Sequence, residues 1–120
     1  MSYIFIELFN YTEKWRGTDE DTRRSFIAGI SGSLDRMPEM GIEIIAYGFN
    51  DRDTDQRAPY DFFCVYKVPN RDIQVGFETN VRASGWLDYF EQVNIRGVAQ
   101  TGYEILDANV RLELPAEAAC

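Results

Sequence analysis

The run Tyr3-Ile4-Phe5-Ile6-Glu7-Leu8-Phe9 decides the fold. It alternates with a period of two, yet it is apolar on both sides of the alternation. Ile4, Ile6 and Leu8 make one face; Tyr3, Phe5, Glu7 and Phe9 make the other. A strand apolar on both faces belongs inside a sheet that is covered on both sides. One face is wholly aliphatic. The other carries rings and a single carboxylate, and it reads as a wall turned toward a pocket or a partner.

The rest of the chain supplies the partners of this strand. Residues 10–17 form a polar connection. Thr18 with Asp21 resembles a capping box for a helix over about 19–37, on the stripe Phe26, Ile27, Ile30, Leu34 and Met37. Pro38 and Gly41 end it. A second strand covers 42–49. Strict alternation sets Ile42, Ile44, Ala46 and Gly48 against Glu43, Ile45, Tyr47 and Phe49. A polar loop leads to a third strand over 62–68, where Phe62, Cys64, Tyr66 and Val68 share a face. These two strands are expected to form an antiparallel hairpin. Asn70 or Asp72 caps a second helix with the stripe Ile73, Phe77 and Val81, and Gly85 suits its C-terminal stop. The aromatic corner Trp86-Leu87-Asp88-Tyr89-Phe90 precedes a fourth strand holding Val93, Ile95 and Val98. Val110, Leu112 and Leu114 alternate with polar residues and predict a fifth, edge strand.

A chain of 120 residues fits one domain, read here as 1–114 followed by a frayed tail over 115–120. The net charge of −8 disfavours a phosphate-binding surface, so nucleic acid is not an expected partner. No apolar run approaches a membrane span and no secretory pattern opens the chain. A cytoplasmic setting and no membrane association are expected. Cys64 reads as a small buried hydrophobe, and a disulfide with Cys120 is not expected in that compartment. The sequence contains no histidine, which excludes His-based nucleophile pairs and His-ligated zinc or haem. Acid–base chemistry falls to carboxylates, Tyr or Lys. Asp51, Asp53 and Asp55 imitate the start of a calcium loop, but Gln56 replaces the turn glycine and Phe62 the bidentate acid. They read as a solvated turn. No metal or organic cofactor is expected.

The order strand, helix, strand, strand, helix, strand is the α+β pattern of ferredoxin-like domains, with an extra C-terminal strand. Helices cover one face of such a sheet. The second face is also apolar, and a second copy of the chain is its economical cover, giving a homodimer. In this the chain resembles the dimeric α/β-barrel superfamily, in which two ferredoxin-like sheets pack face to face. The segments Tyr3-Ile4-Phe5-Ile6-Glu7-Leu8 and Gly85-Trp86-Leu87-Asp88-Tyr89-Phe90-Glu91-Gln92-Val93-Asn94-Ile95-Arg96-Gly97 resemble an uncharacterised bacterial family within it. The resemblance implies a cavity between the open sheet face and nearby loops. Relatives use such cavities for cofactor-free oxygenation, cyclisation, isomerisation, lactone chemistry or haem binding.

Glu7 is the first candidate for chemistry. A carboxylate among Phe5 and Phe9 is desolvated and suits a general acid or base; the plainer reading is an interface carboxylate paired with an Arg. Tyr47 and Tyr66 could orient a ligand oxygen, or simply pack. Trp86 and Tyr89 could line the mouth of a pocket, or lock a helix onto a strand. Asn94 and Arg96 share a face, where the guanidinium could hold a carboxylate or an enolate, or bridge the dimer. Two functional readings follow. One is a small cofactor-free enzyme of monooxygenase, cyclase or isomerase type, acting on an apolar or aromatic carbonyl compound. Glu7, Tyr47 and Arg96 would be catalytic, and Phe5, Phe9, Tyr66, Trp86, Tyr89 and Asn94 would bind the ligand. The other is a non-catalytic ligand-binding or dimeric interaction domain, in which the same residues serve packing and ion pairing.

Overall fold

In a computed structural model, which describes residues 2–114, the opening run is strand β1 (Tyr3–Tyr11), central in a four-stranded sheet. It lies antiparallel to β3 (Phe62–Val68) on one side and β4 (Phe90–Val98) on the other. Strand β2 (Glu43–Phe49) flanks β3, so the order is β2-β3-β1-β4 and every pairing is antiparallel. This is the ferredoxin-like α+β arrangement. The tail over 115–120 and Cys120 lie outside the described residues.

Two crossover helices join the strands. A one-turn helix α1 (Glu13–Arg16) interrupts the expected polar connection, capped by the Thr12 hydroxyl. Helix α2 (Glu20–Arg36) starts at Asp19, whose carboxylate accepts from the Thr22 amide. Thr18 is therefore not the cap; its hydroxyl donates instead to the Trp15 carbonyl. A 3-10 turn over Met37–Met40 ends at Gly41 in the left-handed region. Helix α3 (Arg71–Ala83) is capped by Asn70, as the sequence suggests. Gly85, at φ 84°, turns the chain into the short helix α4 (Trp86–Tyr89).

The expected fifth strand is absent. Residues 102–111 form helix α5 (Gly102–Arg111). Thr101 and Glu104 build a reciprocal capping box, and Asp107 pairs with Arg111 one turn on. Tyr103, Leu106 and Val110 recur at helical spacing, so the alternation around Val110 was one face of a helix. Among the described residues no helix is long and apolar enough to cross a membrane.

The two sheet faces exchange the roles expected of them. Phe5, Tyr66 and Val68 form the core with Met37, Ile42 and Phe77, so the ring-bearing face lies beneath the helices. The Phe77 ring on α3 stands 5.3 Å from Phe5 and 5.2 Å from Tyr66. The aliphatic face is the open one. Ile4, Ile6 and Leu8 are only half-buried, and beside them Ile95 stays 57% exposed. Rings reach further than aliphatic chains and fill the wider gap under a helix.

Candidate functional site

Register carries polar groups across the middle of the helix side. Tyr47 pairs with Cys64, Cys64 with Glu7, and Glu7 with Asn94. Paired residues share a face, so these four side chains form one row. On one flank run Ile44, Tyr66, Phe5 and Arg96; on the other run Phe49, Phe62, Phe9 and Gln92. A register shift between Ile44 and Ala46 breaks the strict alternation of β2. It moves Ile44 onto the face of Tyr47 and Phe49, where a period of two would not have put it.

Glu7 is 3% exposed. Its Oε2 accepts a 2.8 Å hydrogen bond from Gln92 Nε2, and the Tyr66 hydroxyl also serves it. It takes part in no ion pair among the described residues. Desolvation pushes the carboxyl up to about 7; the bonds from Tyr66 and Gln92 oppose that rise, and the charge of Glu78 adds to it. Arg96 does not neutralise it. Its Nη1 donates to Glu78 Oε2 at 2.6 Å, and Gln74 Nε2 donates to the same oxygen at 3.0 Å. The guanidinium that the sequence offers to a ligand is held by α3.

The neighbours are donors that keep their protons. Burial drives the Tyr66 phenol far above its ordinary value, with the charge of Glu7 second. Burial likewise raises Tyr47, and it raises the Cys64 thiol to about 12. At neutral pH all three carry hydrogens, and Glu7 alone is poised to exchange one.

The cover over this row is uneven. Phe77 of α3 covers the β1 part of the row, and Gln74 and Glu78 hold Arg96 of β4 beside it. Helix α2 has no fully buried residue in 17, only the half-buried stripe Arg23, Phe26, Ile30 and Leu34. Tyr47 remains 48% exposed although it lies on the helix side. The row is thus closed at Glu7 and open at both ends, at Tyr47 on β2 and at the exposed Asn94 on β4. The two surface depressions described lie elsewhere. One is bordered by Ser2, Gly41, Lys67 and Pro69, the other by Tyr11, Arg16, Phe49 and Phe62.

Trp86 and Tyr89 belong to a packed aromatic knot. Trp86 stacks on Phe90 at 3.8 Å and meets Phe9 at 5.5 Å; Tyr89 meets Phe26 at 4.9 Å and Trp15 at 5.2 Å. The Tyr89 carbonyl accepts from the Thr12 hydroxyl at 2.6 Å, which pins α1 to α4. Trp86 reaches the Phe9 end of the site; Tyr89 faces α1 and α2. The Asp51–Asp55 loop is braced by Arg57, whose Nε donates to the Asp51 carbonyl at 2.8 Å. Among the described residues no group of His, Cys, Asp or Glu is placed to hold a metal ion.

Sequence reasoning did not single out Gln92, Gln74 or Glu78. Gln74 and Glu78 lie four apart on the flank of the Phe77 stripe, a spacing that puts two polar groups over the sheet. Gln74 Oε1 and Gln92 Oε1 are buried without a partner, as is Trp86 Nε1. Polar atoms left this way around a carboxyl invite a ligand or water.

The chain is similar to a solved structure described as a dimeric ferredoxin-like protein of unknown function from Thermobifida fusca YX. The identity is 20%, over 82% of this chain and 92% of that one, with a TM-score of 0.46. No curated protein matches the chain. A family model, the "Family of unknown function (DUF6616)", matches residues 2–112. That match takes in the whole sheet, both crossover helices and α5, and the chain belongs to this family.

Proposed function

We propose that the protein is a homodimeric proton-transfer enzyme of the dimeric α/β-barrel kind, acting on an apolar or aromatic carbonyl compound bound between the sheet and α2. One observation carries this reading: a carboxyl with no cationic partner among the described residues, raised toward neutrality by burial, set in a row with Tyr47 and Cys64 and flanked by the rings of Phe5, Tyr66, Phe9 and Phe62. Glu7 as carboxylate takes a proton from carbon next to the carbonyl. The Tyr47 phenol at the open β2 end donates a hydrogen bond to the oxygen on which charge develops, while the Tyr66 hydroxyl stays on Glu7. Glu7 returns the proton at a different carbon in an isomerisation; in a cyclisation the enolate carbon attacks a second carbonyl of the same molecule, and the alkoxide formed there takes the proton from Glu7. The ligand enters past Tyr47, and the loosely seated α2 moves to admit it.

The test is a panel of aromatic ketones and enones against wild type and Glu7→Gln, followed by Trp fluorescence and by deuterium exchange at the carbon next to the carbonyl. Binding to both proteins with exchange only in wild type is the expected result. Binding with equal exchange in both removes Glu7 as the base. No binding by either protein to any member of the panel removes the pocket.

The homodimer draws on the open face. Ile4, Ile6, Leu8, Phe63, Val65, Val93 and Ile95 adjoin one another there as an uncharged centre, with Lys67 next to Ile4 and Glu43 next to Lys67 at one end and Glu91 next to Asn10 at the other. Copies that each carry a net charge of −8 can approach only through such a neutral surface. A sheet-on-sheet contact closes it, as in the barrel superfamily the sequence resembles.

A further inference from the structure

We propose that α5 is an arm that docks on the second copy of the chain, outside the sheet-on-sheet contact. This rests on the two-copy reading above and adds a second, separate contact to it. The helix leaves the body where the Ala99 amide bonds the Ser2 carbonyl, at the start of β1. Its apolar side chains find almost no cover among the described residues. Tyr103 is 88% exposed, Leu106 64% and Val110 83%, and Leu112 and Leu114 beyond them are exposed as well.

The helix is nonetheless fully built. Its capping box is complete, and the Glu113 amide closes its end on the Ala108 carbonyl. A helix of ten residues is marginal in water by itself. A capped, apolar, uncovered helix is the form of an element that completes its packing on another molecule.

The dimensions agree. The radius of gyration is 16.5 Å, against about 14 Å for a compact domain of this length. The accessible surface is 8664 Å², against about 6,700 Å² for a folded monomer of this mass. Half of that excess would supply the about 800 Å² that each partner gives to a standard interface. A second copy is the occupant because one two-fold operator buries the open sheet and both arms together, the arm contact forming twice, once from each copy. The arm face Tyr103, Leu106 and Val110 is uncharged, like the centre of the open sheet face.

The experiment is sedimentation equilibrium of wild type, of Leu106→Lys/Val110→Lys, and of Ile6→Lys/Ile95→Lys, with circular dichroism as a check on folding. Alongside it, isotope-filtered NOEs are collected on a dimer mixed from labelled and unlabelled wild-type chains. A wild-type dimer with a dissociation constant raised at least tenfold by the arm variant, and NOEs from the Leu106 and Val110 methyls to the unlabelled copy, are expected. A wild-type dimer that the arm variant leaves unchanged, or whose α5 methyls show only contacts within their own chain, overturns the arm and leaves the sheet interface standing. A monomeric wild type overturns both. The filtered NOEs use wild type alone, so they decide the matter even where a lysine variant fails to fold.

Discussion

Replacing Glu7 by Gln should make the protein more stable at high pH, although it alters a buried residue with two hydrogen bonds. The folded-state value lies above the ordinary one, at about 7 against 4.5. Between these values the folded protein holds a proton that the unfolded chain has released. Stability conferred by that proton is complete below about 4.5, declines as pH rises through the window, and is gone above about 7. At 1.36 kcal/mol per pH unit the interval amounts to about 3 kcal/mol. The glutamine amide imitates the protonated carboxyl and has nothing to titrate. The difference in unfolding free energy between Glu7→Gln and wild type should therefore move by about 3 kcal/mol in favour of the variant from pH 4.5 to pH 8.

The assay is urea unfolding of both proteins across that range, at one fixed protein concentration so that association contributes equally to both. The other carboxylates titrate alike in both proteins and cancel in the difference. A difference that stays flat across the range would refute the reasoning. It would mean that Glu7 meets water or a cation, and the proton-transfer site would lose its base.

Four further changes probe the surroundings. Arg96→Ala frees the Glu78 charge beside Glu7, and the midpoint of the pH series above should climb beyond its wild-type position. Phe77→Ala empties the core between Phe5 and Tyr66 and should cost about 3–5 kcal/mol in urea unfolding. Gly48→Ala would set a Cβ 2.5 Å from the Phe63 ring on the open face; a loss of about 1–3 kcal/mol is expected, with weaker association by sedimentation. Thr101→Ala removes the cap of α5 and should lower the protection of its amides against hydrogen exchange by about 1 kcal/mol.

The sequence made the fold readable because each main element carries its own punctuation. Asn70 before Ile73, Gly41 after the 3-10 turn and Gly85 before Trp86 are local signals, and the structure places them at the element ends. The last segment misled because Val110, Leu112 and Leu114 satisfy a period of two while Tyr103, Leu106 and Val110 satisfy the helical one. The capping pair Thr101 and Glu104 decides between them. The shift in β2 left no mark in composition, so Ile44 could not be assigned to the face of Tyr47. The candidate residues were legible as a set because alternation fixes who shares a face with whom. Glu7, Tyr47, Tyr66, Asn94 and Arg96 do stand together. What alternation cannot give is which of two apolar faces the helices take.

That choice follows from what each face needs. Glu7, Asn94 and Arg96 need polar partners, and α3 brings Gln74 and Glu78 to them. A two-fold sheet contact has only the same face to offer in return. It would set Glu7 against its own copy, two carboxyls in a dry layer about 10 Å thick. The aliphatic face has no such demand. Ile4, Ile6, Leu8 and Ile95 are satisfied by any surface of similar flatness, including a second copy of themselves. The helices therefore take the face whose groups need specific answers. The open side keeps the residues that need only to be dry, and the proton-bearing row ends up beneath the helices, inside the chain's own fold.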